Sequence, residues 1–153
     1  MRLLAATFAA VLALATGAAA VPTAPTLGPL PSPGSFAIFY ERSGGFAPST
    51  STLVVRPGRH AVAATSGSRA GENRVEFRIA KRRVLALARG LRQADFTSIA
   101  DPGESGCADC FEYEIRYNGH RLAIDESQLP ARLEPVIGEL EAIVTAHAIP
   151  PNA

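Results

Sequence analysis

The residues of this chain best suited to chemistry are Cys107 and Cys110, in the run Cys107-Ala108-Asp109-Cys110. Two thiols at this spacing can exchange electrons, ligate a metal or close on each other. A redox dithiol needs its first thiolate stabilised, usually at a helix N-terminus. Here a strand pattern follows instead, and the Asp109 carboxylate between the sulfurs opposes thiolate formation. A zinc site needs about four ligands. There is no second cysteine pair, and His60, His120 and His147 are scattered without ligand spacing. The surroundings favour a disulfide closing a tight loop, with redox activity and free thiols as the alternatives. So short a loop gains about 2 kcal/mol on a loop-entropy argument. Its expected role is to fix residues 101–110 more than to hold the fold.

Other chemistry-bearing residues fall into plainer settings. His60 opens a strand pattern, His120 flanks a turn, and His147 stands near a helix C-terminus, where a cation suits the dipole. Ser43 precedes two glycines but lacks the Gly-x-Ser-x-Gly setting of a nucleophile elbow. Neither a phosphate-binding loop nor a dinucleotide fingerprint is present. Glu112, Glu114, Asp125 and Glu126 gather around one hairpin, as expected of the charged outer face of an antiparallel sheet. These patterns predict a protein that is not an enzyme and uses no metal or cofactor.

The elements that must position these residues follow from hydrophobic periodicity. Residues 35–42, 52–56, 60–65 and 74–79 alternate as strands, and Arg56-Pro57-Gly58-Arg59 is turn chemistry between the second and third. Residues 66–73 are small and polar and read as a loop. Val84, Leu87, Ala88, Leu91 and Ala94 then recur at three and four, making one apolar helix face, with Phe96 and Ile99 docking just beyond it. Lys81-Arg82-Arg83 lies at the end of this helix disfavoured by its dipole.

Asn118-Gly119 is the preferred two-residue type I′ turn. It sets Tyr117 opposite His120, Ile115 opposite Leu122 and Tyr113 opposite Ile124, all on one face. Pro130 is expected in the first turn of a last helix with Leu133, Val136, Ile137, Leu140, Ile143 and Val144 as its buried stripe. The order β-β-β-β-α-β-β-α predicts an α+β fold, an antiparallel sheet of about five or six strands with two helices packed on one face.

Residues 1–20 have the pattern of a secretory signal peptide. Arg2 is the positive head, residues 3–15 are apolar, and Ala18-Ala19-Ala20 offers a cleavage site before Val21. The apolar run falls short of the roughly 20 residues of a membrane span. Residues 21–34 form a proline-rich linker and residues 35–149 a single domain. Loss of Arg2 brings the 15 basic residues to parity with the 14 acidic ones. A neutral mature chain has no electrostatic reason to bind nucleic acid or an anionic membrane. The expected location is periplasmic or secreted.

Arg42-Ser43-Gly44-Gly45-Phe46-Ala47, following a first strand, resembles the opening signature of the emfourin family, small bacterial inhibitors of thermolysin-like zinc metallopeptidases. Pro57-Gly58, the helix end Ala94-Asp95-Phe96, the strand entry through Asp109, Phe111 and Tyr113, and Pro130 with Leu133 extend the similarity over residues 35–145. The chain departs from the family at Pro48, where a further glycine is usual, and in its leader and cysteine pair. The resemblance implies a non-enzymatic inhibitor with a zinc metallopeptidase as its protein partner, bound through Ser43, Gly44, Gly45, Phe46 and Ala47. The alternative is an envelope-associated structural or binding domain with no peptidase partner. On physical grounds paired glycines open backbone conformations closed to other residues. Such a corner most simply folds Phe46 into the core; the functional version holds the ring at the tip, where it can enter an apolar recess.

Overall fold

The computed structural model describes residues 37–67, 71–103 and 107–148. The expected leader and linker lie outside these residues. Strands β1 (Ile38–Gly44), β2 (Ser49–Arg56), β3 (His60–Gly67) and β4 (Gly71–Arg78) precede helix α1 (Lys81–Gln93). Strands β5 (Phe111–Tyr117) and β6 (His120–Asp125) precede helix α2 (Glu134–Ala148). All strand pairs are antiparallel, in the order β4-β3-β2-β1-β5-β6. The fold is α+β, as the periodicity predicts.

Strand alternation decides which face is covered. Ile38, Tyr40, Leu53, Val55, Ala63, Ile115 and Leu122 all point to one side and are fully buried. Val84, Leu87 and Leu91 of α1 and Leu140, Ile143 and Val144 of α2 close over them. Each large apolar side chain so covered contributes about 1.5–3 kcal/mol relative to exposure. The opposite face carries Glu41, Thr52, Arg74, Glu76, Glu112, Glu114 and Arg121 and has no helix over it.

The β5–β6 hairpin has the expected register: Tyr117 pairs with His120, Ile115 with Leu122 and Tyr113 with Ile124. Asn118 and Gly119 both take positive φ, 52° and 79°, as a type I′ turn requires.

Three element boundaries differ from expectation. β1 and β2 extend to Gly44 and from Ser49, so the hairpin between them is tighter than its side-chain pattern indicates. The polar stretch expected as a loop is partly sheet, with Thr65 opposite Asn73 and Ser66 opposite Glu72. Asn73 and Thr65 also hold α2: the Asn73 amide and the Thr65 hydroxyl both donate to the carbonyl of Ala148 at the helix end. Finally, Pro130 precedes a separate 3-10 turn, Ala131–Leu133, and Pro135 is the proline in the first turn of α2. A first-turn proline loses no internal hydrogen bond, so either proline suits a helix start, and burial of Leu133 selects the extra turn.

The helices approach each other at Gly90, where an added Cβ would stand 2.8 Å from Cγ2 of buried Val136. Val is stiff at χ1 and cannot swing away. Gly90→Ala should therefore lower stability by about 1 kcal/mol, because overpacking of about 1–3 kcal/mol exceeds the helix-propensity gain of about 1 kcal/mol. Gly138 in α2 faces open space, and Gly138→Ala should gain about 0.5–1 kcal/mol. Urea unfolding of both variants checks the pair. A stabilised Gly90→Ala would contradict the close helix contact.

Candidate functional site

Residues 45–48 form the turn between β1 and β2. Gly44 has φ 97° and Gly45 φ 81°. A Cβ on Gly44 would lie 2.8 Å from the carbonyl oxygen of Cys110, and one on Gly45 would lie 2.7 Å from the ring of Phe111. The Gly45 N–H donates to that same Cys110 oxygen at 3.3 Å. Both glycines are thus fixed by conformation and by close approach, and the turn rests directly on the entry to β5.

Cys107 and Cys110 form a disulfide with Cα atoms 5.5 Å apart, as the surroundings of the pair favour. The bridge closes the loop whose last residue supplies the acceptor for Gly45. Residues 43–47 and the disulfide, far apart in sequence, are one structural corner.

Phe46 is 94% exposed at the tip of this corner, the one large hydrophobic side chain so exposed among the described residues. Ala47 and Pro48 beside it are exposed as well. The simpler expectation, a ring folded into the core, is thereby overturned. At this end of the sheet it is Phe111 whose ring packs against the core. The Arg42 guanidinium lies over the Phe111 ring at 4.3 Å from its centroid. Arg42 in turn meets Glu141 of α2 at 2.7 Å, and the buried Tyr40 hydroxyl donates to the same carboxylate oxygen at 3.1 Å. Arg42, Phe111 and Glu141 support the corner, and nothing local in the sequence marks Phe111 or Glu141 as its neighbours.

The Tyr40 hydroxyl is held far above the ordinary phenol range, first by burial and then by the Glu141 carboxylate beside it. Tyr113 and Tyr117 are raised as well, each first by burial.

Ser43 points to the uncovered face, opposite Thr50 and Glu112. With Glu41, Asp101, Glu112, Glu114 and Asp125 it borders a cleft of about 450 Å³. Hydrogen bonds from Arg121 and then Arg116 hold the Glu114 carboxyl below the usual carboxylate range, against its partial burial. The histidines stand apart from the corner: His120 Nε2 lies 3.0 Å from the carbonyl oxygen of Ile99, and His147 stacks on Phe77 at 3.7 Å. Among the described residues no three His, Cys, Asp or Glu side chains converge as metal ligands.

Two measurements probe the corner. Gly45→Ala should cost about 2 kcal/mol or more, combining left-handed strain of roughly 1–2 kcal/mol with the clash against Phe111. Gly103 has the same φ of 81° but open space around it, so Gly103→Ala should show the strain alone. Equal losses in the two variants would deny the ring contact. The tyrosines give a pH test. Folded Tyr40 keeps a proton that the unfolded chain releases near pH 10, so its contribution is full below about pH 10 and falls as pH rises above it. Tyr40→Phe should cost about 1–2 kcal/mol at neutral pH and flatten the alkaline loss of stability in urea titrations. An unchanged alkaline slope would count against the buried setting of Tyr40 beside Glu141.

No protein-family model matches this chain and no curated protein does.

Proposed function

We propose that this chain is an exported, non-enzymatic protein-binding domain that inserts Phe46 into an apolar pocket of its partner. The observation that carries the proposal is the 94% exposure of that ring on a turn whose backbone is fixed on both sides. Leaving a phenylalanine in water forgoes about 1.5–3 kcal/mol of burial, which a partner recovers when it covers the ring. Aromatic side chains presented in this way dominate many interfaces. Because the glycines, the disulfide loop and Phe111 already hold the turn, little conformational freedom is left to lose on binding.

The partner class comes from the resemblance of residues 42–47 to the emfourin signature. Thermolysin-like metallopeptidases favour bulky apolar side chains next to the bond they cut, and Phe46 offers such a side chain. Inhibition follows if the ring fills that pocket while the closed corner keeps the backbone from being drawn through as substrate. A periplasmic or secreted location agrees with the disulfide, since such bonds persist in oxidising compartments. No helix of the described residues is long and apolar enough to cross a membrane.

Phe46→Ala provides the test. It should leave thermal stability within about 0.5 kcal/mol of the parent, as expected for an exposed side chain. It should weaken inhibition of a thermolysin-like peptidase by roughly 30-fold or more, the loss expected for a buried aromatic hot spot. A parent protein that leaves the peptidase fully active, or a variant as inhibitory as the parent, overturns the assignment.

A further inference from the structure

The cleft on the uncovered sheet face is a second feature, separate from the Phe46 tip. Glu41, Asp101, Glu112, Glu114 and Asp125 border it, and among the described residues Arg121 is its one cation. Arg121 is engaged: its Nη2 donates to Glu114 Oε2 at 2.8 Å, and Arg116 meets the other oxygen of the same carboxylate. Glu114 is thereby matched. Among the described residues no cation lies within ion-pair distance of Glu41, Asp101, Glu112 or Asp125, and Asp101 only feels the charge of Arg121 from further off. The strand register sets two acidic pairs directly opposite each other, Glu41 with Glu114 and Glu112 with Asp125. Like charges so placed repel.

Asp125 adds an independent observation. It is only 4% exposed, the one buried charged residue among those described. Its Oδ1 accepts hydrogen bonds from Ser127 N at 2.7 Å, Ser127 Oγ at 2.6 Å and Gln128 N at 3.1 Å, capping the turn after β6. Its Oδ2 is buried and no donor reaches it. Buried polar atoms of native proteins nearly always have partners, so an orphaned carboxylate oxygen on a cleft wall marks the place of an absent donor. The capping role needs only one of the two oxygens and does not account for the other.

We infer that this cleft is a binding site for a guanidinium group. The carboxylates do not converge as metal ligands, which argues for a ligand whose donors are spread apart. A guanidinium presents five donors in a rigid plane and pairs with carboxylates through parallel hydrogen bonds. A donor would satisfy Asp125 Oδ2 once the side chains around that buried atom give way on binding, and the charge would relieve the repulsion between Glu112 and Asp125. The source is either a free guanidino compound or an arginine side chain of a polypeptide.

Calorimetric titration of the full chain tests this with agmatine, the peptide acetyl-Ala-Arg-Ala-amide, putrescine and calcium chloride. Saturable binding of agmatine or of the peptide supports the site; agmatine alone indicates the free compound, and a tighter peptide indicates a polypeptide. Asp125→Asn retains the oxygen that caps Ser127 and Gln128, so the fold persists, but it replaces the other oxygen by a donor. It should weaken binding roughly tenfold or more, the effect of losing a hydrogen bond to a charged group. Glu76→Gln makes the same charge change on β4 of the same face and should leave affinity unaltered. Phe46→Ala should also bind agmatine like the parent, which separates this site from the proposed tip contact. The inference is overturned if neither guanidinium probe binds, or if putrescine binds as tightly as agmatine. It is equally overturned if only calcium saturates the site, or if Glu76→Gln weakens binding as much as Asp125→Asn.

Discussion

A side chain at either of two adjacent positions would collide with the chain beside it: the carbonyl of Cys110 at Gly44 and the ring of Phe111 at Gly45 occupy the places where Cβ atoms would stand. That close approach lets β1 run alongside β5 to its last residue and still turn into β2 within four residues. At the same end of the sheet Phe111 packs against the core, while Phe46 on the turn itself stands in solvent. A larger residue at either glycine would push β1 away from the entry to β5 and so displace the turn that carries Phe46.

The corner is tied to the far side of the molecule by charge as well as by shape. Glu141 of α2 collects the Arg42 guanidinium and the Tyr40 hydroxyl, and Arg42 then covers Phe111. This ion pair is partly shielded, with side chains 27% and 32% exposed, so it holds geometry more than it supplies energy; exposed pairs are worth about 0–1 kcal/mol. Its effect is directional. It fixes Arg42 over the ring against which Gly45 rests, and so passes the position of α2 to the hairpin. The α2 helix is itself held at its other end by Asn73 and Thr65. The polar residues of β3 and β4 therefore bear on the corner through the helix between them.

Legibility in the sequence followed the range of the interactions. The β5–β6 hairpin could be read residue by residue, because Asn118-Gly119 fixes the register locally and the alternation of Tyr113, Ile115 and Tyr117 gives an independent check. Both helices were legible from their apolar stripes, and the cysteine pair from its spacing and surroundings. The position of Phe46 was not, because hydrophobicity directs a lone ring inward and only the three-dimensional course of the turn shows it in solvent. Residues 66 and 71–73 misled for a related reason: their side chains are small or polar, but sheet pairing uses the backbone, which composition does not report. Pro130 and Pro135 are equally good helix starters, and the choice between them depends on the tertiary burial of Leu133. Of the cleft, the carboxylates around the hairpin were visible, but the second oxygen of Asp125 acquires meaning only once its partners can be counted.

The two surface features share a border, and that border has an electrostatic consequence. Ser43 and Glu112 form the last row of the uncovered face before Gly44 and Phe111 begin the corner. The acidic side chains thus begin one residue from the turn that presents Phe46, well within the roughly 8–10 Å over which charge is felt at ordinary ionic strength. A chain near overall neutrality, with 15 basic and 14 acidic residues, still carries a local negative field there, because Glu41, Asp101, Glu112, Glu114 and Asp125 outnumber Arg116 and Arg121. A body approaching the aromatic tip meets that field along one flank only. Apolar contact at the ring does not depend on orientation about the hairpin axis, whereas a one-sided field does, so the acidic flank can select the direction from which a surface settles on the tip.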